Sequence, residues 1–321
     1  MKSITELKFI IDKEFNNIKY PSNPRLLYEP IEYVMGLKGK RIRSVLVLAA
    51  HQLFDNNLEK AIAPALAIEM FHNFTLLHDD IMDKAPLRRG QMTVHKKWSN
   101  NIAILSGDTM MIKSYQFLSN INPNILKQTL NIFNQAAINV CEGQQWDLEF
   151  EIRKKVNISE YLKMIEYKTA VLLATALKIG GITSGSNVET QNNLYDFGRN
   201  MGIAFQLKDD LLDVFGSSNS FGKQEGGDIL ANKKTYLYLK ALEIADKKLK
   251  KDLITYYSNK DVSINKVKNV KKIFIQLGIP ELTEKLIREY HFKAINKLEM
   301  IKSKFKSPLI DFSEILLNRI Y

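Results

Sequence analysis

Apolar side chains recur every three to four residues along most of the chain, the spacing that places them on one face of an α-helix. Six long segments show this pattern: 38–54, 61–83, 101–119, 126–150, 158–180 and 190–215. None shows the two-residue alternation that predicts a half-buried strand. The chain has eight prolines, and none lies between Pro123 and Pro280, so no proline interrupts a helix there. The pattern predicts an all-α protein.

Two segments are apolar on most faces, RSVLVLAAHQLF (43–54) and TAVLLATALKIGG (169–181). Helices of this kind lie at the centre of a large bundle. Breaks in the pattern separate the predicted helices at Gly36–Gly39, 84–92, 180–188 and 216–227. The sequence shows no Pro/Gly/Ser-rich linker and no repeat of 20 to 50 residues, so we expect a single domain over residues 1–321.

Composition narrows the class of protein. With 45% hydrophobic and 25% charged residues in 321, disorder is a poor explanation. The only cysteine, Cys141, indicates a reducing compartment, and we expect it to be buried and inert. The N-terminal MKSITELKFIIDKEF mixes charged and apolar residues, which predicts an amphipathic helix rather than a signal peptide. No stretch of the sequence is apolar for long enough to span a bilayer, so we expect a cytoplasmic protein without an integral membrane segment.

The formal net charge of +11 raises the question of nucleic-acid binding. The excess lysines are densest between 233 and 306 and follow helical spacing, which is typical of solvated helix faces. Aromatic residues do not alternate with them as in a nucleic-acid site. We therefore expect no nucleic-acid partner.

One acidic pattern, Asp-Asp-x-x-Asp, occurs twice, in HDDIMDKAPLRRG (78–90) and in KDDLLDVFG (208–216). On a helix, Asp79 and Asp83 share a face and Asp80 lies about 100° round. The second copy repeats this geometry with Asp209, Asp210 and Asp213. Such carboxylates repel one another without a cation, and hard oxygens that leave room for water and phosphate suit Mg²⁺. At the end of an apolar helical run they also oppose the helix dipole, which argues against a purely stabilising role.

Cationic residues accompany the first acidic group. Pro86 is expected to end its helix, and Arg88 and Arg89 follow in a predicted extended loop, where adjacent side chains point in opposite directions. Upstream, Lys40 and Arg43 lie three residues apart at the start of an apolar helix. Magnesium together with Arg and Lys is what a diphosphate requires. Further donors could come from Lys168, Thr169 and Gln206.

At these residues the chain resembles the trans-polyprenyl diphosphate synthases, in particular the short-chain farnesyl and geranylgeranyl diphosphate synthases, over about 38–235. The resemblance is carried by GKRIR (39–43), FHNFTLLHDDIMDKAPLRRG (71–90), TVH (93–95), GQQWD (143–147), YKT (167–169), FQLKDDLLD (205–213) and GGDI (226–229). It implies the all-α isoprenoid synthase fold, a large helical bundle around a central cavity. ANKKT (231–235) departs from the family, whose members carry Gly before the Lys, and this leaves both Lys233 and Lys234 open as the matching lysine.

The resemblance also implies an activity, a cofactor and a site. Such an enzyme condenses isopentenyl diphosphate with an allylic diphosphate (dimethylallyl, geranyl or farnesyl), using about three Mg²⁺ ions with substrate bound. The metal ligands would be Asp79, Asp83 and Asp209, among the six catalytic carboxylates Asp79, Asp80, Asp83, Asp209, Asp210 and Asp213. The allylic diphosphate would be bound by Arg88, Lys168, Thr169, Gln206 and Lys233. Isopentenyl diphosphate would be bound by Lys40, Arg43, His72 and Arg89.

Product length depends on side chains upstream of Asp79 on the same helix. By resemblance, Phe74, with the small Thr75 beside it, would form the floor beneath the growing chain. This favours geranylgeranyl or farnesyl diphosphate, and a medium-chain product stays open. A homodimer is expected from the family and from the largely apolar segments 101–119 and 126–150.

Three alternative functions were weighed. A class I terpene cyclase has this fold, but its second metal motif contains Asn, Ser and Glu, whereas here it is DDLLD. An inactive subunit of a heteromeric prenyl synthase usually loses acidic residues, and this chain keeps all six. A metal-buffering helical protein would explain neither the paired arginines nor the other motifs.

Overall fold

The structure, a computed structural model, describes residues 1–37, 39–216, 226–258 and 263–317. Most of them are helical, which confirms the all-α prediction. The helices are α1 (Ile4–Asn17), α2 (Arg25–Gly36), α3 (Ile42–His51), α4 (Glu59–Met82), α5 (Val94–Lys97), α6 (Asn100–Ser119), α7 (Pro123–Ile152), α8 (Ile158–Ile165), α9 (Val171–Thr183), α10 (Val188–Phe215), α11 (Gly227–Leu230), α12 (Tyr236–Ile244), α13 (Lys247–Ser258), α14 (Ile264–Gln276), α15 (Ile279–Glu299) and α16 (Ser307–Leu317). A π-helical segment (Glu166–Ala170) joins α8 to α9, and two short strands, β1 (Leu87–Arg88) and β2 (Gln91–Met92), pair antiparallel.

All six segments predicted from the apolar spacing form helices. Two differ from expectation. The first begins at Ile42 rather than at residue 38, because Arg41 has a left-handed backbone (φ 50°). The fifth, 158–180, is divided by the π-helical segment. Most of the predicted break at 216–227 lies outside the described residues.

Contacts group the chain into two compact units. The first comprises 1–134, 175–194 and 301–309. Its α3 is buried from Ser44 to His51, as its apolar sequence predicted. A Cβ on Gly180 of α9 would lie 2.3 Å from the carbonyl oxygen of Val47, so only glycine lets α9 approach α3 this closely.

The second unit comprises 135–174, 195–300 and 310–321, of which 310–317 are described at the C-terminal end. Its core is a single apolar cluster that includes Leu211 of α10, Leu237 of α12, Phe274 of α14 and Ile287 of α15. α8 begins with a capping box, in which Asn157 and Glu160 satisfy each other's backbone amides. A single functional domain over the whole chain stays a prediction.

Three surface features bear on the sequence predictions. Across the part of the chain that the structure describes, every helix is too short or too polar to cross a bilayer. The lysines of α13 are exposed, as predicted: Lys247, Lys248, Lys250 and Lys251. The prediction is wrong for Lys266 of α14, which is 1% exposed and donates to Asn232 Oδ1. The expectation that Cys141 is buried is wrong, since it is exposed. Residues 136, 139, 140 and 143 form the buried face of α7, and position 141 falls outside it.

Candidate active site

The first acidic group lies at the C-terminal end of α4 in the first unit. α4 ends at Met82, and Lys84 (φ 52°) turns the chain, so the helix ends before Pro86 rather than at it. Asp80 is only 5% exposed, and this burial raises its pKa. Arg88 compensates the charge: its Nε lies 2.8 Å from both carboxylate oxygens of Asp80, and its Nη2 lies 2.7 Å from Oδ1. Arg88 thus binds a carboxylate as a fork, the geometry with which arginine also binds phosphate.

The two adjacent arginines point in different directions because Arg88 ends a strand and Arg89 lies in the turn of a tight hairpin. Arg88 pairs with Gln91 across the two strands, and the residues between them, Arg89 and Gly90, have φ of 53° and 75°. Positive φ at both positions is the signature of a type I′ turn. The predicted extended loop is therefore correct for Arg88 and wrong for Arg89. The Arg89 guanidinium packs on Gly39, where a Cβ would lie 2.7 Å from Nη1.

Arg43 and His72 meet in the same unit. Arg43 Nη1 donates to His72 Nε2 at 2.9 Å, so the proton of the neutral imidazole is on Nδ1. Burial, reinforced by the nearby guanidinium groups, lowers the pKa of His72 well below its usual value. Burial also lowers the pKa of Arg43 to about 10, which leaves it charged at neutral pH. Lys40, expected on the first helical turn with Arg43, instead precedes α3 and is exposed.

In the second unit, a cavity of about 90 Å³ brings five predicted site residues together. They are Lys168, Thr169, Gln206, Asp210 and Lys233. Asp147, Tyr161 and Asp228 also line the cavity, and no role was predicted for them. Asp147 and Asp228 belong to the motifs GQQWD and GGDI, which the sequence analysis had singled out, whereas no sequence pattern pointed to Tyr161. Asp209 and Asp213 lie half-buried on α10.

A chain of hydrogen bonds fixes the polar side chains of this cavity. Thr169 Oγ1 donates to Gln206 Oε1 at 2.9 Å, and Gln206 Nε2 donates to Asp210 Oδ1 at 2.9 Å. The Tyr161 hydroxyl donates to the other oxygen of Asp210. Burial, and then the charge of Asp228, raises the pKa of Asp210 well above its usual value. The site therefore concentrates acidic groups that a bound cation would stabilise.

The π-helical segment presents Lys168 and Thr169, and two glycines hold it in place. A Cβ on Gly143 of α7 would lie 2.3 Å from the Lys168 amide nitrogen, and one on Gly202 of α10 would lie 2.4 Å from Ala170 Cα. Backbone atoms cannot move aside as a flexible side chain can. Both helices therefore need glycine to pack against the segment, and π-bulges are frequent at functional sites.

One of the two lysines that the sequence left open also caps a helix. Lys234 Nζ donates to the carbonyl oxygens of Phe150 and, at 3.2 Å, of Glu151, near the C-terminal end of α7, where a cation is favoured. Lys233 and Lys234 both line the cavity, so both stay open as the matching lysine. Asn232 has φ 58°, a conformation that asparagine tolerates better than most residues.

The acidic groups fit magnesium by the chemistry of their donors. Both consist of carboxylate oxygens, the ligands that Mg²⁺ prefers over the thiol and imidazole ligands typical of zinc. Within the described residues, no three carboxylate, His or Cys groups converge closely enough to enclose a metal ion.

Comparisons with known proteins agree with this chemistry. The family model Polyprenyl synthetase matches residues 24–274. The geranylgeranyl diphosphate synthase of Methanosarcina mazei is 32% identical over 314 residues, which cover 97% of this chain and 95% of the relative. A crystal structure of a geranylgeranyl pyrophosphate synthase has a TM-score of 0.95 and 40% identity, with 100% of both chains covered. The geranylgeranyl pyrophosphate synthetase of Pyrococcus horikoshii Ot3 has a TM-score of 0.92 and 34% identity, with 98% of this chain and 97% of that chain covered.

Proposed function

Because the chain belongs to the polyprenyl synthetase family, we propose that it makes geranylgeranyl diphosphate from isopentenyl diphosphate and an allylic diphosphate in an Mg²⁺-dependent reaction. The prediction of a short-chain prenyl diphosphate synthase, a prenyl-transferring enzyme, is confirmed by the family match and the relatives. They do not favour a terpene cyclase or an inactive subunit. The proposal is carried by the match to the family and to synthases that are named for geranylgeranyl diphosphate.

We assign the site residues as the resemblance implies. Mg²⁺, when bound, supplies charge that helps the allylic diphosphate to leave. By resemblance, its ligands would be Asp79, Asp83 and Asp209, with about three ions in the substrate complex. Residues that contact the allylic diphosphate are Arg88, Lys168, Thr169, Gln206 and Lys233. Residues that contact isopentenyl diphosphate are Lys40, Arg43, His72 and Arg89. The hairpin supports this division, because it places the Arg88 guanidinium on Asp80 and that of Arg89 on Gly39.

The chain's own groups orient the substrates and hold charge in place. As the allylic C–O bond breaks, Arg88 and Lys168 stabilise the negative charge on the departing diphosphate. The isopentenyl double bond attacks the allylic cation, and loss of a proton to the released diphosphate restores an alkene. Neutral His72 donates through Nδ1–H to the isopentenyl diphosphate. Binding and orientation, rather than a covalent nucleophile, supply the catalysis.

A direct assay tests the proposal. Purified protein with Mg²⁺, isopentenyl diphosphate and farnesyl diphosphate is expected to release diphosphate and form a prenyl product one unit longer. Product analysis by chromatography after dephosphorylation, with and without EDTA, provides the measurement. Cyclised hydrocarbon formed without isopentenyl diphosphate would instead support a cyclase, and no product at all would support an inactive subunit.

Phe74 is our candidate for the residue that limits product length. It lies on α4 five residues, about 7.5 Å along the helix axis, before Asp79, and it is half-buried. Its ring is 5.5 Å from that of Phe71 and 4.8 Å from that of His78. Thr75 Oγ1 donates to the His72 carbonyl oxygen at 2.8 Å. We propose that the packed rings of Phe71, Phe74 and His78 form the floor of the space that the growing prenyl chain occupies.

Phe74→Ala is expected to shift products towards longer chains with little change in overall rate, because it removes the floor and leaves the diphosphate ligands intact. Chain lengths are measured by chromatography of the dephosphorylated products. Phe292→Ala serves as the matched control, since Phe292 is 65% exposed. The same product distribution in Phe74→Ala and wild type would mean that Phe74 only packs the core.

We propose that the protein is a cytoplasmic homodimer acting as a single synthase domain. α6 carries an exposed apolar stripe opposite its buried face: Ile104 is 43% exposed, Leu105 and Ile112 are each 58% exposed, and Tyr115 is 37% exposed. These residues follow helical spacing and share one side of the helix. Exposed apolar side chains grouped on one side of a surface helix, here with the 52% exposed Asp108 among them, are typical of a protein interface, and a second copy is the occupant that we propose.

The double substitution Leu105→Lys and Ile112→Lys is expected to give monomers, because two cations would be buried in a symmetric apolar contact. Mass is measured by light scattering at micromolar protein concentration. The control is Phe9→Lys, since Phe9 is equally apolar and 71% exposed on α1; this variant is expected to stay dimeric. A wild-type mass of one chain would refute the dimer.

A further inference from the structure

The first turn of α3 is capped from another helix. Arg41, at the N-cap position, has φ 50° and ψ 33°, and its guanidinium only donates, so it cannot accept the amides that open a helix. The acceptor is Glu69 of α4. Its Oε2 lies 3.4 Å from the amide nitrogen and 3.2 Å from the hydroxyl oxygen of Ser44. Ser44 is the third residue of α3, where an N-cap side chain normally accepts an amide. Glu69 thus replaces the local cap.

The same carboxylate compensates a buried arginine. Glu69 is 2% exposed and Arg41 5% exposed, and Glu69 Oε1 lies 3.7 Å from Arg41 Nη1. Arg41 also donates to the Met35 carbonyl oxygen at the end of α2 and lies 4.9 Å from the centre of the Phe15 ring. Removing one partner of a buried ion pair leaves an uncompensated charge. Glu69 therefore stabilises the turn that leads into α3.

That turn stands between two of the cations assigned to isopentenyl diphosphate. Lys40 immediately precedes Arg41, and Arg43 follows it by two residues. Burial lowers the pKa of Arg43 and of Arg89. The negative charge of Glu69 acts in the opposite direction and raises both pKa values. Since Glu69 itself is buried, it can act on the substrate only through these neighbours.

We propose that Glu69 is a positioning residue for isopentenyl diphosphate. It holds the first turn of α3 so that Lys40 and Arg43 stand ready for the diphosphate. This inference rests on the proposed function, which assigns those two cations to that substrate. A simple charge effect predicts the opposite result, because a negative group beside an anion site weakens binding and its removal strengthens it. The sign of the change in affinity therefore decides between the two.

The test is calorimetric titration of isopentenyl diphosphate alone into the full-length protein, a mixture in which no turnover occurs. Glu69→Ala, which loses both cap and charge, is expected to weaken binding about tenfold. Glu69→Gln keeps an acceptor for Ser44 and is expected to weaken the binding of isopentenyl diphosphate about threefold. Asp12→Asn removes the other carboxylate near Arg41, whose Nε lies 3.6 Å away, without touching the cap. This matched control is expected to stay within about twofold of wild type.

Kinetics provide a second readout. The apparent KM for isopentenyl diphosphate is expected to rise in both Glu69 variants, whereas the KM for the allylic substrate stays unchanged. Tighter or unchanged binding of isopentenyl diphosphate in Glu69→Gln would overturn the proposal, and this variant decides the matter if Glu69→Ala does not fold. Arg43→Ala is the reference. If Arg43→Ala leaves the affinity for isopentenyl diphosphate unchanged, the assignment of this substrate to Lys40, Arg43, His72 and Arg89 is wrong, whatever the Glu69 variants show.

Discussion

Asp79→Ala is expected to lower kcat at least about a hundredfold while leaving the thermal unfolding temperature unchanged or slightly higher. Asp79 shares a helix face with Asp83, so its removal takes away a proposed metal ligand and, at the same time, relieves repulsion between anions. Its distance to Arg88 Nη2 is 3.8 Å, against 2.7 Å for Asp80. Arg88 therefore keeps its main partner in this variant. Turnover at saturating Mg²⁺ and thermal unfolding are measured on the same sample.

Asp80→Ala gives the contrasting result. It removes the buried partner of Arg88 and its forked hydrogen bonds, so we expect a loss of about 1–3 kcal/mol in the free energy of unfolding together with lost turnover. Asp83→Ala and Asp209→Ala should behave like Asp79→Ala. Near-wild-type turnover in Asp79→Ala would rule out its role as a metal ligand.

Gly143→Ala is expected to cost about 1–3 kcal/mol of stability and to lower turnover at least about tenfold. The added methyl group would lie 2.3 Å from the Lys168 amide nitrogen and 2.8 Å from its Cα, so the π-helical segment must shift. That shift carries Lys168 away from Asp147, its ion-pair partner at 2.5 Å. Urea unfolding and the KM for the allylic substrate measure the two effects.

The matched control for this substitution is Gly36→Ala. A Cβ on Gly36 would meet nothing within 4 Å, and the residue lies in the last turn of α2. Alanine there is expected to be neutral or to stabilise by up to about 1 kcal/mol. If Gly143→Ala matched Gly36→Ala in stability and turnover, close packing against the π-helical segment would not position Lys168.

Much of the helical architecture was accessible from the sequence because it depends on periodicity. Apolar spacing identified six helical segments, and near-continuous apolar sequence identified α3 and the start of α9 as buried. Boundaries were less accessible where single backbone conformations decided them. Arg41 and Arg89 adopt positive φ, which few side chains favour, so no sequence pattern predicted that α3 begins at Ile42 or that a type I′ turn follows Arg88.

For the candidate site, too, some features could be predicted from the sequence and others depended on the tertiary structure. Local spacing and family resemblance identified the two acidic groups, the paired arginines and the other proposed diphosphate ligands, since these residues stand in short motifs. Contacts between residues distant in sequence were decided only by the tertiary structure. Examples are the cap that Glu69 provides to α3 across 25 residues, the hydrogen bond of Tyr161 to Asp210, and the use of Lys234 as a cap on α7. A motif fixes which groups are available, whereas packing fixes which of them compensate one another's buried charge and which remain for the substrate.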